Sequence, residues 1–160
     1  SNIEDQLSWH RELAEFCNKA LEEGKPIFGI CFGHQLMAHY YGATIARNEN
    51  EVTYNGSRDV VITTQIGTFN EGDEFNIFTA HSFEVKDLPE TMIQIATSDE
   101  CKYDGLAHKT LPYIGFQGHP EASRFFVNSE IKVKNPDFND EEVPAYEDGP
   151  YLLSQFFAKL

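Results

Sequence analysis

Positive charge is scarce in this sequence. Twelve Lys and Arg face 26 Asp and Glu over 160 residues, a formal charge of -14 at neutral pH, and no Lys/Arg cluster reverses the balance locally. Such a chain repels a phosphate backbone, which argues against nucleic acid as a direct partner. Cysteine is sparse as well. Cys17, Cys31 and Cys101 share no regular spacing, and their odd number leaves at least one thiol unpaired within the chain, as suits a reducing compartment. No apolar run approaches the roughly 20 residues that cross a bilayer, and the N-terminus lacks the basic-then-apolar order of a signal peptide. Together these absences point to a cytoplasmic protein with no membrane partner. What remains is ordinary globular material: 41% hydrophobic residues, 24% charged, and thirteen Phe to fill a core. Residues 1–160 suffice for one domain and give little reason to expect two.

Trp9, Leu13, Phe16 and Ala20 recur at helical steps while Glu12, Glu15 and Lys19 take other faces. This pattern predicts an amphipathic helix with those four residues as its apolar face, closed by Gly24 and Pro26. Ile27-Phe28-Gly29-Ile30 shows no alternation, as expected of a central parallel strand covered on both faces. From Phe32 to about Tyr41 the pattern is helical again, with Leu36, Met37 and Tyr40 able to pack inward and Gly42 placed as a cap. Short β-like pieces follow at Thr44–Ala46, Val60–Thr64, Phe75–Thr79, Met92–Ala96 and Tyr113–Gln117, between Gly, Asn, Asp and Pro turn signals. Some of them predict an antiparallel extension. Residues 135–150 are acidic, hold three prolines and few apolar residues, and read as a surface excursion before a final apolar helix, Tyr151–Leu160. No internal repeat is present.

In Gly29-Ile30-Cys31-Phe32-Gly33 a strand runs through a sharp turn into a helix. A turn this tight crowds its flanks against neighbouring backbone, which gives both glycines a steric role and pushes the central side chain outward in a strained conformation. The sulfur would stand at a helix N-terminus, where free N–H groups and the helix dipole favour negative charge. The backbone N–H of Phe32 would face an oxyanion forming on an attacked carbonyl. Taken alone, the pattern fits a small buried thiol between packing glycines equally well.

A second motif bears on that choice. The strand at Pro112–Gln117 ends in Gly118-His119-Pro120-Glu121. Pro120 keeps His119 extended, and at the carboxyl end of a strand its imidazole can face the crevice where open α/β sheets place their chemistry. Glu121 can reach back to one ring nitrogen, leaving the other for the sulfur. A lone His-Pro would be a surface histidine beside a turn; with the elbow it completes nucleophile, base and orienter.

Gly29-Ile30-Cys31-Phe32-Gly33-His34-Gln35 resembles the nucleophile motif of class I glutamine amidotransferase domains, and Gln117-Gly118-His119-Pro120-Glu121 resembles their His-x-Glu motif. The resemblance covers Ile27–Ala43 and Phe78–Ser123, and Ser1–Trp9 is similar to the approach to the helix before the elbow. It implies a flavodoxin-like three-layer α/β/α sandwich with a mostly parallel central sheet and a small antiparallel extension. It also implies that Cys31 attacks the glutamine side-chain amide while His119 protonates departing ammonia and then activates water against the thioester. No cofactor is implied; a partner synthetase would take the ammonia. By the same resemblance Gln35 contacts the substrate, and His81-Ser82-Phe83 holds its α-amino and carboxylate groups. The family begins with strands and a Gly-rich loop that supplies a second oxyanion N–H. The sequence opens at the helix that follows, so the resemblance implies an N-terminally incomplete domain.

Many family members carry an aromatic residue where this chain has Gly118. The Gly form is similar to stand-alone members related to the amidotransferase domain of GMP synthase and to γ-glutamyl peptidases. A γ-glutamyl peptidase using the same triad is therefore the alternative activity, and a non-catalytic binding module on the same fold is the other. Of the remaining candidates, His34 is expected to pack behind the elbow, and His39, five residues on, is badly spaced for a shared metal, so no metal is expected. His10 and His108 read as solvated, Cys17 as packed beside Phe16, and Cys101 as an exposed turn residue.

Overall fold

The computed structural model describes residues 3, 7–48, 50–65 and 67–157. The expectations for residues 1, 2, 4–6 and 158–160 lie outside them. In order, the elements are α1 (Ser8–Glu22), β1 (Ile27–Ile30), α2 (Phe32–Tyr40), β2 (Ile45–Arg47), β3 (Tyr54–Ile62), β4 (Glu74–His81), β5 (Phe83–Val85), β6 (Met92–Thr97), β7 (Gly105–His108) and β8 (Tyr113–Phe116). A helical segment follows, α3 (Arg124–Phe126) and α4 (Lys132–Lys134) flanking a π-helical turn Val127–Ile131, and α5 (Ala145–Phe157) comes last. Among the described residues no helix is long and apolar enough to cross a membrane.

Six strands form one sheet in the order β1-β8-β7-β6-β3-β4, and β2 pairs with β5 in a separate ribbon. Helices cover both faces. Ala14 and Leu21 of α1 and Leu36 and Met37 of α2 share a cluster with Met92, Leu106 and Tyr113 on one side, and Leu152 of α5 joins Phe75, Ile95 and Phe116 on the other. This is the α/β layering expected. The antiparallel share is larger than a small extension: β1 and β8 run parallel, whereas the other described pairings are antiparallel. The links from β6 to β7 and from β7 to β8 are too short for a crossover, which takes a dozen or more residues, so each strand must turn back on the last. β1 also stands at one end of the described order rather than at its centre. Its apolar run reflects cover on its faces, with Phe28 stacked on Phe116 and edge-on to Phe156, and says nothing about how many strands adjoin it.

Both opening helices end on left-handed glycines, Gly24 at φ 80° and Gly42 at φ 108°. In each the chain reverses with a six-to-one hydrogen bond, Lys25 N to Ala20 O and Ala43 N to Ala38 O, both 2.9 Å. The apolar face of α1 differs from expectation. His10, Ala14 and Leu21 point inward, while Trp9, Leu13 and Phe16 are exposed, Phe16 at 72%. Small Ala14 and half-buried Cys17 suit a close approach to α2 that Trp9 and Phe16 would obstruct. Tyr40, also expected inside, is 38% exposed.

Residues 135–150 are more ordered than a surface excursion. Asp140 is buried, accepts a 2.6 Å hydrogen bond from Tyr146 Oη and is ion-paired with Lys132; α5 begins at Ala145 and carries Pro150 within it. Asp148 accepts a hydrogen bond from Asn76 N at 2.7 Å, tying the helix to β4.

Candidate active site

Parallel pairing of β1 with β8 brings their carboxyl ends together, and Cys31 N extends the ladder with a 2.9 Å hydrogen bond to Phe116 O. Cys31 sits between β1 and α2 at φ 46°, ψ -97°, a conformation that costs a non-glycine residue about 1–3 kcal/mol. The packing that enforces it is one-sided. A Cβ at Gly29 would run into Tyr113 Oη and stand 3.0 Å from Gly33 C, but a Cβ at Gly33 meets nothing within 4 Å. The steric role expected of both glycines thus falls on Gly29. Phe32 opens α2, so its N–H has no acceptor within the helix.

Three residues beyond β8, His119 N donates to Phe78 O at 2.8 Å, anchoring the loop to β4. His119 Nδ1–H donates to Glu121 Oε1 at 2.8 Å, which leaves Nε2 for the sulfur. Burial disfavours the imidazolium, yet hydrogen bonds with Cys31 and Glu121 outweigh it and raise the His119 pKa to about 9. Cys31, His119 and Glu121 therefore meet in one constellation. Gly118 leaves no space for a side chain: a Cβ there would strike Ile77 and lie 3.0 Å from Phe78 O.

Beneath the sulfur lies a polar chain that motif reading missed. Gln117, fully buried, directs Nε2 at Cys31 Sγ across 3.6 Å. Its Oε1 accepts from Gln35 Nε2 at 3.0 Å, and Gln35 Nε2 also donates to Phe83 O at 2.6 Å. His81 Nδ1–H donates to the same carbonyl at 3.1 Å, and its Nε2 accepts from Arg58 at 2.9 Å. Arg58 forms a buried two-point pair with Asp104, at 2.9 and 3.0 Å, and Asp104 O accepts from Gln117 N at 2.8 Å. The ring closes. Burial and the neighbouring Arg58 push the His81 pKa down to about 3, so its imidazole is neutral. Gln35 and His81, expected against substrate, both line the cavity beside Cys31 and also spend their described polar contacts on this ring. Ser82 instead faces outward, its Oγ 2.6 Å from Thr53 Oγ1. A cavity of about 400 Å³ opens beside Cys31, Phe32, Ser82 and Phe83.

Other expectations divide. His34 is fully buried behind the elbow, its pKa lowered to about 4, chiefly by burial. His10 is not solvated: it is 5% exposed, with its ring 5.2 Å from that of Phe32. His108 is partly buried and accepts a 3.0 Å hydrogen bond from Leu111 N, bracing the β7–β8 turn. Cys101 is buried rather than exposed, and burial, then the Asp104 charge, hold its thiol pKa well up. Cys17 packs on the main core, away from exposed Phe16.

The sequence model of the class-I glutamine amidotransferase family matches residues 8–125. The chain belongs to this family. It is 40% identical over 126 residues to a component of the glutamine-hydrolysing GMP synthase of Methanocaldococcus jannaschii, covering 78% of this chain and 65% of that protein. The component of the same name from Methanopyrus kandleri is 38% identical over 116 residues, covering 69% and 61%. The chain thus spans less than two thirds of either relative's length. A crystal structure of a glutamine amidotransferase from Thermotoga maritima shares the fold at TM-score 0.75 and 19% identity, covering 98% of this chain and 71% of that one. One from Methylobacillus flagellatus does so at 0.72 and 20%, covering 99% and 67%.

Proposed function

We propose that the chain hydrolyses the side-chain amide of glutamine through a thioester on Cys31, yielding glutamate and ammonia for a partner synthetase. Family membership supports the reaction class, and the name of the GMP synthase relatives supports a synthetase partner. One observation carries the residue roles: His119 Nδ1–H donates to Glu121 Oε1 at 2.8 Å, and, against the effect of burial, the nearby Cys31 and Glu121 raise the imidazole pKa to about 9.

In this mechanism the sulfur of Cys31 attacks the amide carbon, and the oxyanion takes a hydrogen bond from Phe32 N–H. The C–N bond breaks as His119 Nε2 gives its proton to the departing nitrogen. Ammonia leaves a γ-glutamyl thioester. Neutral His119 then takes a proton from water, whose oxygen attacks the thioester carbon, and the C–S bond breaks to release glutamate. Glu121 holds the Nδ1–H tautomer throughout. Gln117 supports the sulfur from below.

Glutamate release from L-glutamine tests the reading, run in parallel with a γ-glutamyl dipeptide. Wild type should turn over glutamine, and Cys31→Ala should abolish it. His119→Asn should lose activity on the order of 10²–10⁴-fold. Cleavage of the dipeptide with no action on glutamine would refute the reading in favour of a peptidase; inertness to both, with Cys31 unreactive, would favour a binding module.

A further inference from the structure

The proton transfers proposed for His119 use the two edges of its ring, and a second aromatic ring stands on its face. Nδ1–H is held by Glu121 Oε1 at 2.8 Å, which leaves Nε2 for the sulfur. The His119 side chain is only 13% exposed although its partner Glu121 is 40% exposed. Phe126 supplies part of that cover. The two ring centroids are 4.6 Å apart with planes tilted by 38°, nearer to stacking than to an edge-on contact. Phe126 is itself held on both sides. Ser123 Oγ accepts from Phe126 N at 3.4 Å, and the ring packs on the buried cluster of Phe78, Ala122, Val127 and Ile131. The next residue opens the π-helical turn Val127–Ile131, a geometry found often beside functional sites, and both ends of that turn are fully buried. Neighbouring Phe125 is 81% exposed. Of two consecutive phenylalanines, the fold turns one onto the imidazole and leaves the other in solvent.

An aromatic face carries negative charge density and attracts a cation within about 6 Å of its centre. The titratable groups that act on His119 are Glu121 on its own loop, Cys31 from the elbow and His81 at the end of β4. Arg124, two residues before Phe126, is turned elsewhere: its guanidinium lies 4.6 Å from the centre of the Tyr146 ring and pairs with Asp140 at 3.6 Å. The Phe126 face is thus left to the imidazole. We propose that Phe126 is a positioning residue for His119, its ring holding the imidazole plane between Cys31 and Glu121 and favouring the imidazolium that gives its proton to the leaving nitrogen. Phe126 lies outside the lining of the cavity beside Cys31, so it acts through His119 rather than on substrate. The inference rests on the role of His119 given above and adds no chemical step to it.

The test combines NMR titration of the His119 ring, assigned by its loss in His119→Asn, with the pH profile of glutamine hydrolysis. Both are measured in wild type, Phe126→Leu, Phe126→Tyr, Phe125→Leu and a protein carrying ring-fluorinated phenylalanine at 126, which keeps the shape and weakens the negative face. In Phe126→Leu and in the fluorinated protein the imidazolium midpoint and the basic limb should both fall by about half a pH unit. Phe126→Tyr should restore both. In Phe126→Leu kcat should also drop on the order of tenfold with KM nearly unchanged, and Phe125→Leu should match wild type throughout. A ring that merely excluded water would leave the midpoint in place, or let it rise as water reached the imidazolium. Either result in both Phe126→Leu and the fluorinated protein, or an equal fall in Phe125→Leu, overturns the proposal. The fluorinated ring keeps the test decisive if leucine loosens the packing. A glutamine-derived chloroketone separates the two levels. If it alkylates Cys31 while the midpoint is unmoved, this proposal alone falls; if it leaves Cys31 untouched, the triad reading falls and the proposal with it.

Discussion

Two histidines held neutral inside the fold should make this protein lose stability in mild acid, and the size of the loss follows from their burial. His34 is fully buried and His81 nearly so, with pKa values of about 4 and about 3. In the unfolded chain both titrate near 6.5. Below that value the unfolded state binds protons that the folded state refuses, so each ring costs about 1.4 kcal/mol per pH unit. From pH 7 to 5 the loss is roughly 2 kcal/mol per histidine and roughly 4 for the pair, a large part of the about 5–15 kcal/mol that holds a typical domain together. His119 does not offset it. Its folded pKa is raised to about 9, so its contribution is fully present below pH 6.5 and is lost as pH rises toward 9. Urea unfolding at pH 7 and pH 5 measures the difference, which corresponds to roughly 8–16 °C in Tm. His81→Gln can keep a donor for Phe83 O and an acceptor for Arg58, so it should remove about half of the acid slope whatever it does to stability at pH 7. Equal stability at pH 7 and 5, or an unchanged slope in His81→Gln, would refute the reasoning.

Other outcomes follow from single contacts. Gln117→Leu removes the donor at Cys31 Sγ and the acceptor of Gln35; kcat should fall on the order of tenfold or more while circular dichroism stays native. Glu121→Gln weakens a support of the His119 cation, so the basic limb of the rate profile should move below its wild-type position; an unmoved limb would deny Glu121 its role. Gly149→Ala is distant from the chemistry in sequence, but a Cβ there would press on the backbone of Pro120. Displacing the His119 loop by about 1 Å should cost on the order of 10²-fold in activity, and a rate equal to wild type would show that α5 does not position the loop.

The meeting of Cys31, His119 and Glu121 was legible because each half of it is local. Gly29 beside the elbow and Pro120 beside His119 impose their geometry within a few residues, and parallel pairing of β1 with β8 does the rest. The polar ring was not legible, since its bonds join residues 86 apart for Gln117 and Cys31 and 46 apart for Arg58 and Asp104, and a buried Arg reads in sequence like any exposed one. On α1, periodicity exposed two apolar stripes. The larger side chains pointed to Trp9, Leu13 and Phe16, but close packing against α2 selected the smaller stripe of Ala14, Cys17 and Leu21. Of the short strands, β1, β2 and β8 were legible, while β5 and β7 were not. Cys101 was misjudged by its acidic neighbours, one of which, Asp104, points inward to Arg58.

The central claim is that Cys31 forms the covalent intermediate with His119 as its acid and base. Acid-quenched mass spectrometry of enzyme mixed with L-glutamine, followed by peptide mapping, tests it most directly. The expected result is one γ-glutamyl group on the peptide carrying Cys31, none on those carrying Cys17 or Cys101, and no adduct in Cys31→Ala. Turnover of glutamine with no adduct at Cys31, or an adduct on another cysteine, would contradict it.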